Sequence, residues 1–460
     1  QDNGSDEFYS YDREIHAIVI QIGWYMKKNV NYEKLVRFDM RKKPLRQRWY
    51  LRPVTWLLTY PTVIARRLRI HKVGMEGVKP PYLLLCTHHA FNDFKVTTAA
   101  IFPHRANYVV AIDGFIGRER LLRQAGGICK RKFTNDIQLV KHIRHVVSKQ
   151  KDILALYPEA RYSLIGTNAV LPLSLGKMAK LMKVPVVVLN MHGNYLNSPC
   201  WNLHERKNRI SADMTLLFTE KDLAKSSVET INKKITEAFE YDEYRWQKDN
   251  HIHIDYPKRC EGLHKVLYMC PHCLSEYTIT SKNDRLYCTH CHKSWQMDTL
   301  GQLHTVDPAE DESELITEFS HVPDWYEAER AQVRKEIDEN RYALSVAVHV
   351  ESLPNAKRFI PLGKALLVHD TSGFHLTGTF DGEEFYLHKE VSSMYSCHIE
   401  YDYKKKGDCI ELSTLDDTYY IYPQGESFSV TKIALATEEL FFAQKEQSFN
   451  EKTHRFQRTE

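Results

Sequence analysis

Five short candidate strands constrain the first half of this chain: the mainly apolar runs Leu83–Cys86, Tyr108–Ile112, Ile153–Tyr157 and Val184–Leu189, and the mixed segment Ile210–Phe218. Each has the length of a buried strand and is too short for a core helix. Helical patterns at Ile137–Gln150 and Leu173–Met182 lie between them, and Ser227–Phe239 reads as a closing helix. Strands alternating with helices predict a mixed α/β sheet flanked by helices. Open sheets of this kind place ligands beyond the carboxyl ends of their strands.

The first run delivers chemistry to that place. Thr87, His88 and His89 follow Cys86, and Asp93 lies five residues after His88. A histidine near neutral pH can take a proton from a hydroxyl. An aspartate on its other ring nitrogen fixes the tautomer and orientation. The adjacent His89 leaves the choice of base open. An isolated His-x4-Asp is more often a core histidine capped by a turn, so the pair gains meaning only from further blocks downstream. Gly126 to Phe133 is a turn feeding a short run with Lys130, Arg131 and Lys132. Tyr157-Pro158-Glu159-Ala160-Arg161 follows the third run, and Val184-Pro185-Val186 opens the fourth.

In order and spacing these blocks resemble the glycerolipid acyltransferase family of the lysophosphatidic acid type. The resemblance covers residues 75–220. It departs from the family at Thr87, where Asn is usual, and in Glu159-Ala160-Arg161, one residue shorter than Glu-Gly-Thr-Arg. The family's phosphate-binding arginine falls on Lys132, with Arg131 one place earlier, and the second proline of the last block is absent. The resemblance implies acyl transfer from acyl-CoA or acyl-ACP to the hydroxyl of a lysophospholipid, 1-acyl-glycerol-3-phosphate in the first instance. It makes His88 and Asp93 the catalytic pair. Arg131, Lys132, Glu159 and Arg161 become the substrate-binding set, the cations holding an anionic headgroup.

Residues 31–72 carry twelve Lys/Arg against Glu33 and Asp39, interleaved with Trp49, Tyr50, Leu51, Trp56, Leu57, Leu58, Tyr60 and Ile64. That mixture suits an interfacial helix, apolar side in the acyl boundary and cations on anionic headgroups. Glu14 to Val36 has an irregular helical pattern, and residues 1–12 are polar. No apolar run approaches the about 18 residues of a spanning helix. The expected location is therefore cytoplasmic and peripheral, on the inner face of the cell membrane.

Cys270-Pro271-His272-Cys273 and Cys288-Thr289-His290-Cys291 are separated by fourteen residues. Two Cys-x-x-Cys knuckles at that spacing predict a zinc ribbon, with Cys270, Cys273, Cys288 and Cys291 filling a tetrahedral Zn²⁺ shell. A shell filled by protein is structural. With no secretory signal pattern, the ten cysteines point to a reducing compartment.

Residues 307–324 are acidic and linker-like, and Asp324–Asn340 reads as a helix. Seven candidate strands follow: Leu344–Val350, Ala365–Asp370, Phe374–Phe380, Glu384–His388, Cys397–Tyr403, Cys409–Thr414 and Thr418–Tyr422. A helix over Ser429–Gln444 closes the set. The pattern resembles a pleckstrin-homology-like β domain.

The expected organisation is thus interfacial helices over 1–74 and an acyltransferase domain over 75–250. A zinc ribbon over 262–305, a linker and helix over 306–340 and a PH-like domain over 341–446 complete it. The net charge of +4 is too small to signal a nucleic-acid binder, and no nucleic acid is expected as partner. Two other classes remain open: a non-catalytic membrane scaffold, and a zinc-ribbon nucleic-acid binder resting on the ribbon and the basic stretch.

Overall fold

The computed structural model describes residues 32, 35–306 and 316–457, with side chains to residue 448. The expected polar start, most of the Glu14–Val36 helix and the first part of the acidic linker lie outside the described residues. The chain divides after Phe38. Among the described residues, the sheets and helices belong to the unit beginning at Asp39.

The first sheet has seven strands: β1 Arg69–Val73, β2 Leu83–Cys86, β3 Ala106–Ala111, β4 Gly127–Lys130, β5 Ile153–Leu156, β6 Val186–His192 and β7 Ser211–Phe218. Their order is β1-β7-β6-β2-β5-β3-β4. Only β6 and β7 pair antiparallel. Side chains on successive residues of a strand point to opposite faces, and the two core clusters divide on that rule. Leu83, Leu85, Leu154, Val186 and Val188 pack on one face with the helices Ile137–His145, Ser174–Met182 and Val228–Ala238. Tyr82, Leu84, Cys86, Ala155, Val187 and Leu189 pack on the other with Val96 and Ala100 of the helix Asp93–Ala100. With both faces covered, β2 is buried at all four positions. The predicted helix over 137–150 is an α-helix to His145, followed by a π turn through Gln150.

The boundary expected at residue 74 falls one strand late. Arg69–Val73 is already part of the sheet, pairing parallel with β7. This edge strand is largely exposed and carries no apolar alternation to reveal it.

Four short antiparallel strands follow: β8 Ile279–Lys282, β9 Arg285–Cys288, β10 Ser294–Met297 and β11 Leu303–Thr305. The helix Val322–Asp338 then starts two residues earlier than expected, with Pro323 in its first turn, where a missing N–H costs nothing. The last sheet contains β12 Leu344–Ser352, β13 Ile360–Asp370, β14 Gly373–Phe380, β15 Glu383–Glu390, β16 His398–Glu400, β17 Cys409–Ser413 and β18 Thr418–Pro423. It is wholly antiparallel, in the order β15-β14-β13-β12-β18-β17-β16. The closing helix, Val430–Gln457, runs well past the predicted end at Gln444 and buries Val430, Ile433, Ala434 and Leu440. The strand expected over Cys397–Tyr403 shortens to His398–Glu400, because Tyr403–Lys405 turns into a 3₁₀ segment.

Candidate active site and metal centre

β2 ends at Cys86, and the chain turns through His88 into the helix that begins at Asp93. That turn brings His88 Nδ1 to 3.0 Å from Asp93 Oδ2. The same oxygen accepts from the backbone N–H groups of His89 at 2.6 Å and Ala90 at 3.0 Å. Asp93 Oδ1 accepts from Asn194 Nδ2 at 2.8 Å. Four donors at the start of the helix thus hold the carboxylate in one orientation. Nδ1–H donates to it, which leaves the Nε2 lone pair for other chemistry. Nε2 has no protein partner among the described residues, and the side chain is 24% exposed. Tyr157 and Tyr162 lie against the imidazole, each with its ring centroid 4.5 Å away.

His89 is placed differently. Its ring is fully buried against Tyr241, and neither nitrogen has a hydrogen-bond partner. Burial lowers its pKa and holds it neutral. Of the two rings, it is the His88 imidazole that meets the Asp93 carboxylate.

The four expected substrate-binding residues are not gathered around His88 as free groups. Glu159 supports the turn from beneath. Its Oε2 accepts from the backbone N–H of His88 at 2.7 Å, and its Oε1 accepts from Ala169 N at 2.8 Å and Tyr241 OH at 3.2 Å. Burial pushes its carboxyl up to about 7, against the pull of these donors.

The three cations are taken up by the C-terminal sheet and its helix. Buried Arg131 donates through Nη1 to Leu353 O at 3.0 Å and Thr418 Oγ1 at 2.8 Å, and through Nη2 to Pro354 O at 3.0 Å. Lys132 Nζ lies 3.1 Å from Glu411 Oε2. Arg161 Nη2 lies 2.7 Å from Glu438 Oε1, on the closing helix. The expectation that these cations stand ready for an anionic headgroup is corrected accordingly: carboxylates and carbonyls of the same chain occupy them.

Glu438 also receives Arg330 Nη1 at 2.8 Å and Ser396 Oγ at 2.7 Å. Burial opposes its charge, but Arg161 and Arg330 hold its pKa below the usual carboxylate range. A carboxylate held low stabilises the fold above the ordinary glutamate range. That contribution is lost as pH falls through the lowered pKa. Removing one partner of a buried pair strands the other. Glu438→Gln is expected to cost about 3–5 kcal/mol at neutral pH, read from urea midpoints. The gap between wild type and variant should stay constant down to the ordinary glutamate pKa of about 4.3 and narrow only below it. A gap independent of pH would contradict the pairing.

The second site is the cysteine cluster. Cys270, Cys273, Cys288 and Cys291 place their sulfurs within 4.8 Å of one another. Cys270 and Cys291 are 3.7 Å apart, as are Cys273 and Cys288. Tetrahedral zinc with Zn–S near 2.3 Å requires sulfurs about 3.8 Å apart. The donor set therefore fits the metal. The close pairs also run between the knuckles, which a local Cys-x-x-Cys disulfide would not favour. The two knuckles repeat one geometry: Leu274 N donates to Cys270 O at 2.9 Å and His292 N to Cys288 O at 3.0 Å. Leu274 and His292 both take left-handed φ, at 59° and 64°. Bound there, zinc would supply cross-linking of two turns and no open coordination position.

A third feature is the helix Leu51–Ala65. Leu57 is 73% exposed and Ile64 72%, with Trp49, Val54 and Leu58 also exposed. Among the described residues no helix is long and apolar enough to cross a membrane.

No family model matches the chain, and no curated protein matches it. Among solved structures it is similar to the 1-acyl-sn-glycerophosphate (LPA) acyltransferase PlsC from Thermotoga maritima. The identity is 13%, over 41% of this chain and 77% of that one, with a TM-score of 0.34. A likeness at that level assigns neither reaction nor substrate.

Proposed function

We propose that this chain transfers a fatty acyl group from an acyl-CoA or acyl-ACP thioester to the free hydroxyl of a lysophospholipid, 1-acyl-glycerol-3-phosphate in the first instance, at a membrane surface. The observation that carries the reading is the His88–Asp93 pair beyond the carboxyl end of the central strand β2, with Nδ1 tied to a fixed carboxylate and Nε2 without a protein partner among the described residues. His88 Nε2 takes the hydroxyl proton as the oxygen attacks the thioester carbonyl. Asp93 stabilises the imidazolium that forms. As the tetrahedral intermediate collapses, a C–O ester bond remains, the C–S bond breaks, and the departing thiolate recovers the proton from His88. No acyl-enzyme is needed. Radiolabelled acyl-CoA and acyl-ACP, each offered with a panel of lysolipids, test the reaction.

The membrane reading rests on the exposed apolar helix and the cations around it. Binding to anionic vesicles should weaken as salt screens those cations. Leu57→Glu/Leu58→Glu should release the protein from vesicles in a co-sedimentation assay. Unchanged binding would return the helix to an ordinary surface role. The strand order and closing helix of the C-terminal sheet support a pleckstrin-homology-like reading, and the cysteine geometry supports a structural zinc ribbon.

The engagement of Arg131, Lys132 and Arg161 favours a second reading, a catalytically idle scaffold on the same membrane. Absence of transfer with either donor and every acceptor would select it.

A further inference from the structure

A cavity of about 580 Å³ opens at the C-terminal end of the helix Leu51–Ala65. Its walls carry Arg66 and Arg67 just beyond the helix, and Glu205, Lys207 and Arg209 from the segment leading into β7. Four cations therefore face one carboxylate. Glu205 is paired with Arg66 at 3.0 Å. Among the described residues, the side chains of Arg67, Lys207 and Arg209 have no hydrogen-bond or ion-pair partner. A cleft lined by one sign of charge focuses its field on an incoming counter-charge.

The walls are fixed by backbone. Ile210 N donates to Arg66 O at 3.3 Å, and Arg67 N to Ile64 O at 3.1 Å. Asn208 Nδ2 donates to Gly193 O at 2.8 Å and Arg209 O at 3.0 Å, tying the cationic loop to the residue before Asn194. The cations are thus presented on a preformed rim.

One wall is apolar and continues outward. Pro61 and Ala65 line the cavity and lie four residues apart on the helix. Leu57, a further four back, extends the same row into solvent. A ligand that fits both features has a phosphate for the cations and a hydrocarbon chain for the row. A soluble phosphate would use only the first.

We propose that this cavity holds the phosphate headgroup of an anionic membrane lipid, with its acyl chain laid along Leu57 and Pro61. The site rests on the membrane reading of the helix and is independent of the chemistry at His88. Its volume is in the range of small-ligand sites, about 300–1,000 Å³. The cations expected to capture a headgroup, Arg131, Lys132 and Arg161, are engaged elsewhere.

Co-sedimentation of the full chain with phosphatidylcholine vesicles containing phosphatidic acid tests the site. Arg67→Gln/Lys207→Gln/Arg209→Gln removes three exposed cations and is expected to weaken binding about tenfold or more. Arg41→Gln/Lys42→Gln/Lys43→Gln removes the same charge from exposed positions outside the cavity and should weaken it less. Equal losses in the two variants would overturn the site in favour of diffuse attraction. Inorganic phosphate forms the second arm. Competition by it as effective as that of a short-chain phosphatidate would overturn the lipid assignment in favour of a free phosphate. Leu57→Glu/Leu58→Glu separates the two levels: if that variant binds vesicles as wild type does, the membrane reading fails, whereas equal losses in the two cation variants remove the cavity alone.

Discussion

His88→Ala is expected to lower acyl transfer by about 10²–10⁴-fold, the usual contribution of a general base, while leaving thermal unfolding near that of wild type. The side chain is partly exposed, and its one hydrogen bond goes to a carboxylate that keeps three other donors. His89→Ala should behave in the opposite way. It opens a void beneath Tyr241 and costs stability, with transfer retained in the folded fraction. Asp93→Asn is the discriminating variant. Its amide nitrogen can face Asn194 if that side chain turns its carbonyl inward, so the turn can survive. The imidazolium would lose its counter-charge. A large loss of turnover with little loss of stability is the expected result. The reverse pattern would make Asp93 a structural N-terminal residue and nothing more.

On the structural-zinc reading, removal of the metal should have the largest effect on stability. A ribbon of this size has too little core to fold unaided, and structural zinc sites supply about 10 kcal/mol or more of coupled folding and binding. Serine at any one of Cys270, Cys273, Cys288 or Cys291, or treatment with a strong chelator, is expected to open residues 262–305 to protease. The damage should spread. Trp325 Nε1 donates to Met269 O at 2.9 Å, and Trp295 packs edge-on to Trp325 with centroids 5.0 Å apart. Both contacts tie the ribbon to the helix that also carries Arg330, a partner of Glu438. Elemental analysis should return one zinc per chain. Transfer that switches on and off with zinc while the ribbon stays folded would contradict a structural role.

In the first sheet the central strands were legible because they are largely buried. β2, β5 and the Val186–Leu189 part of β6 are covered on both faces, so they appear as unbroken apolar runs. β1 is a polar edge strand and left no such trace. The His88–Asp93 pair was legible because five residues span it. The choice between His88 and His89 was not, since it depends on which ring reaches Asp93 and which lies beneath Tyr241. Asn194, which holds the far oxygen of Asp93, is 101 residues away in sequence, and only the packing of β6 brings it there. The fate of the cations was hidden for the same reason: Arg131 meets Thr418 across 287 residues and Arg161 meets Glu438 across 277. Local chemistry marked them as strong donors to oxygen acceptors and gave no sign that the acceptors would come from the same chain. The cysteine cluster lay at the other extreme, because two Cys-x-x-Cys turns joined by a short hairpin are enough to bring four sulfurs together.

The most direct test of the central reading is transfer of labelled acyl chains. Wild type, His88→Ala and His89→Ala would be assayed with acyl-CoA and with acyl-ACP against the same lysolipid panel. Label entering a diacyl product with wild type and His89→Ala, and falling by at least about a hundredfold with folded His88→Ala, is the predicted result. Transfer that survives the loss of His88, or no transfer to any acceptor from either donor, would contradict it.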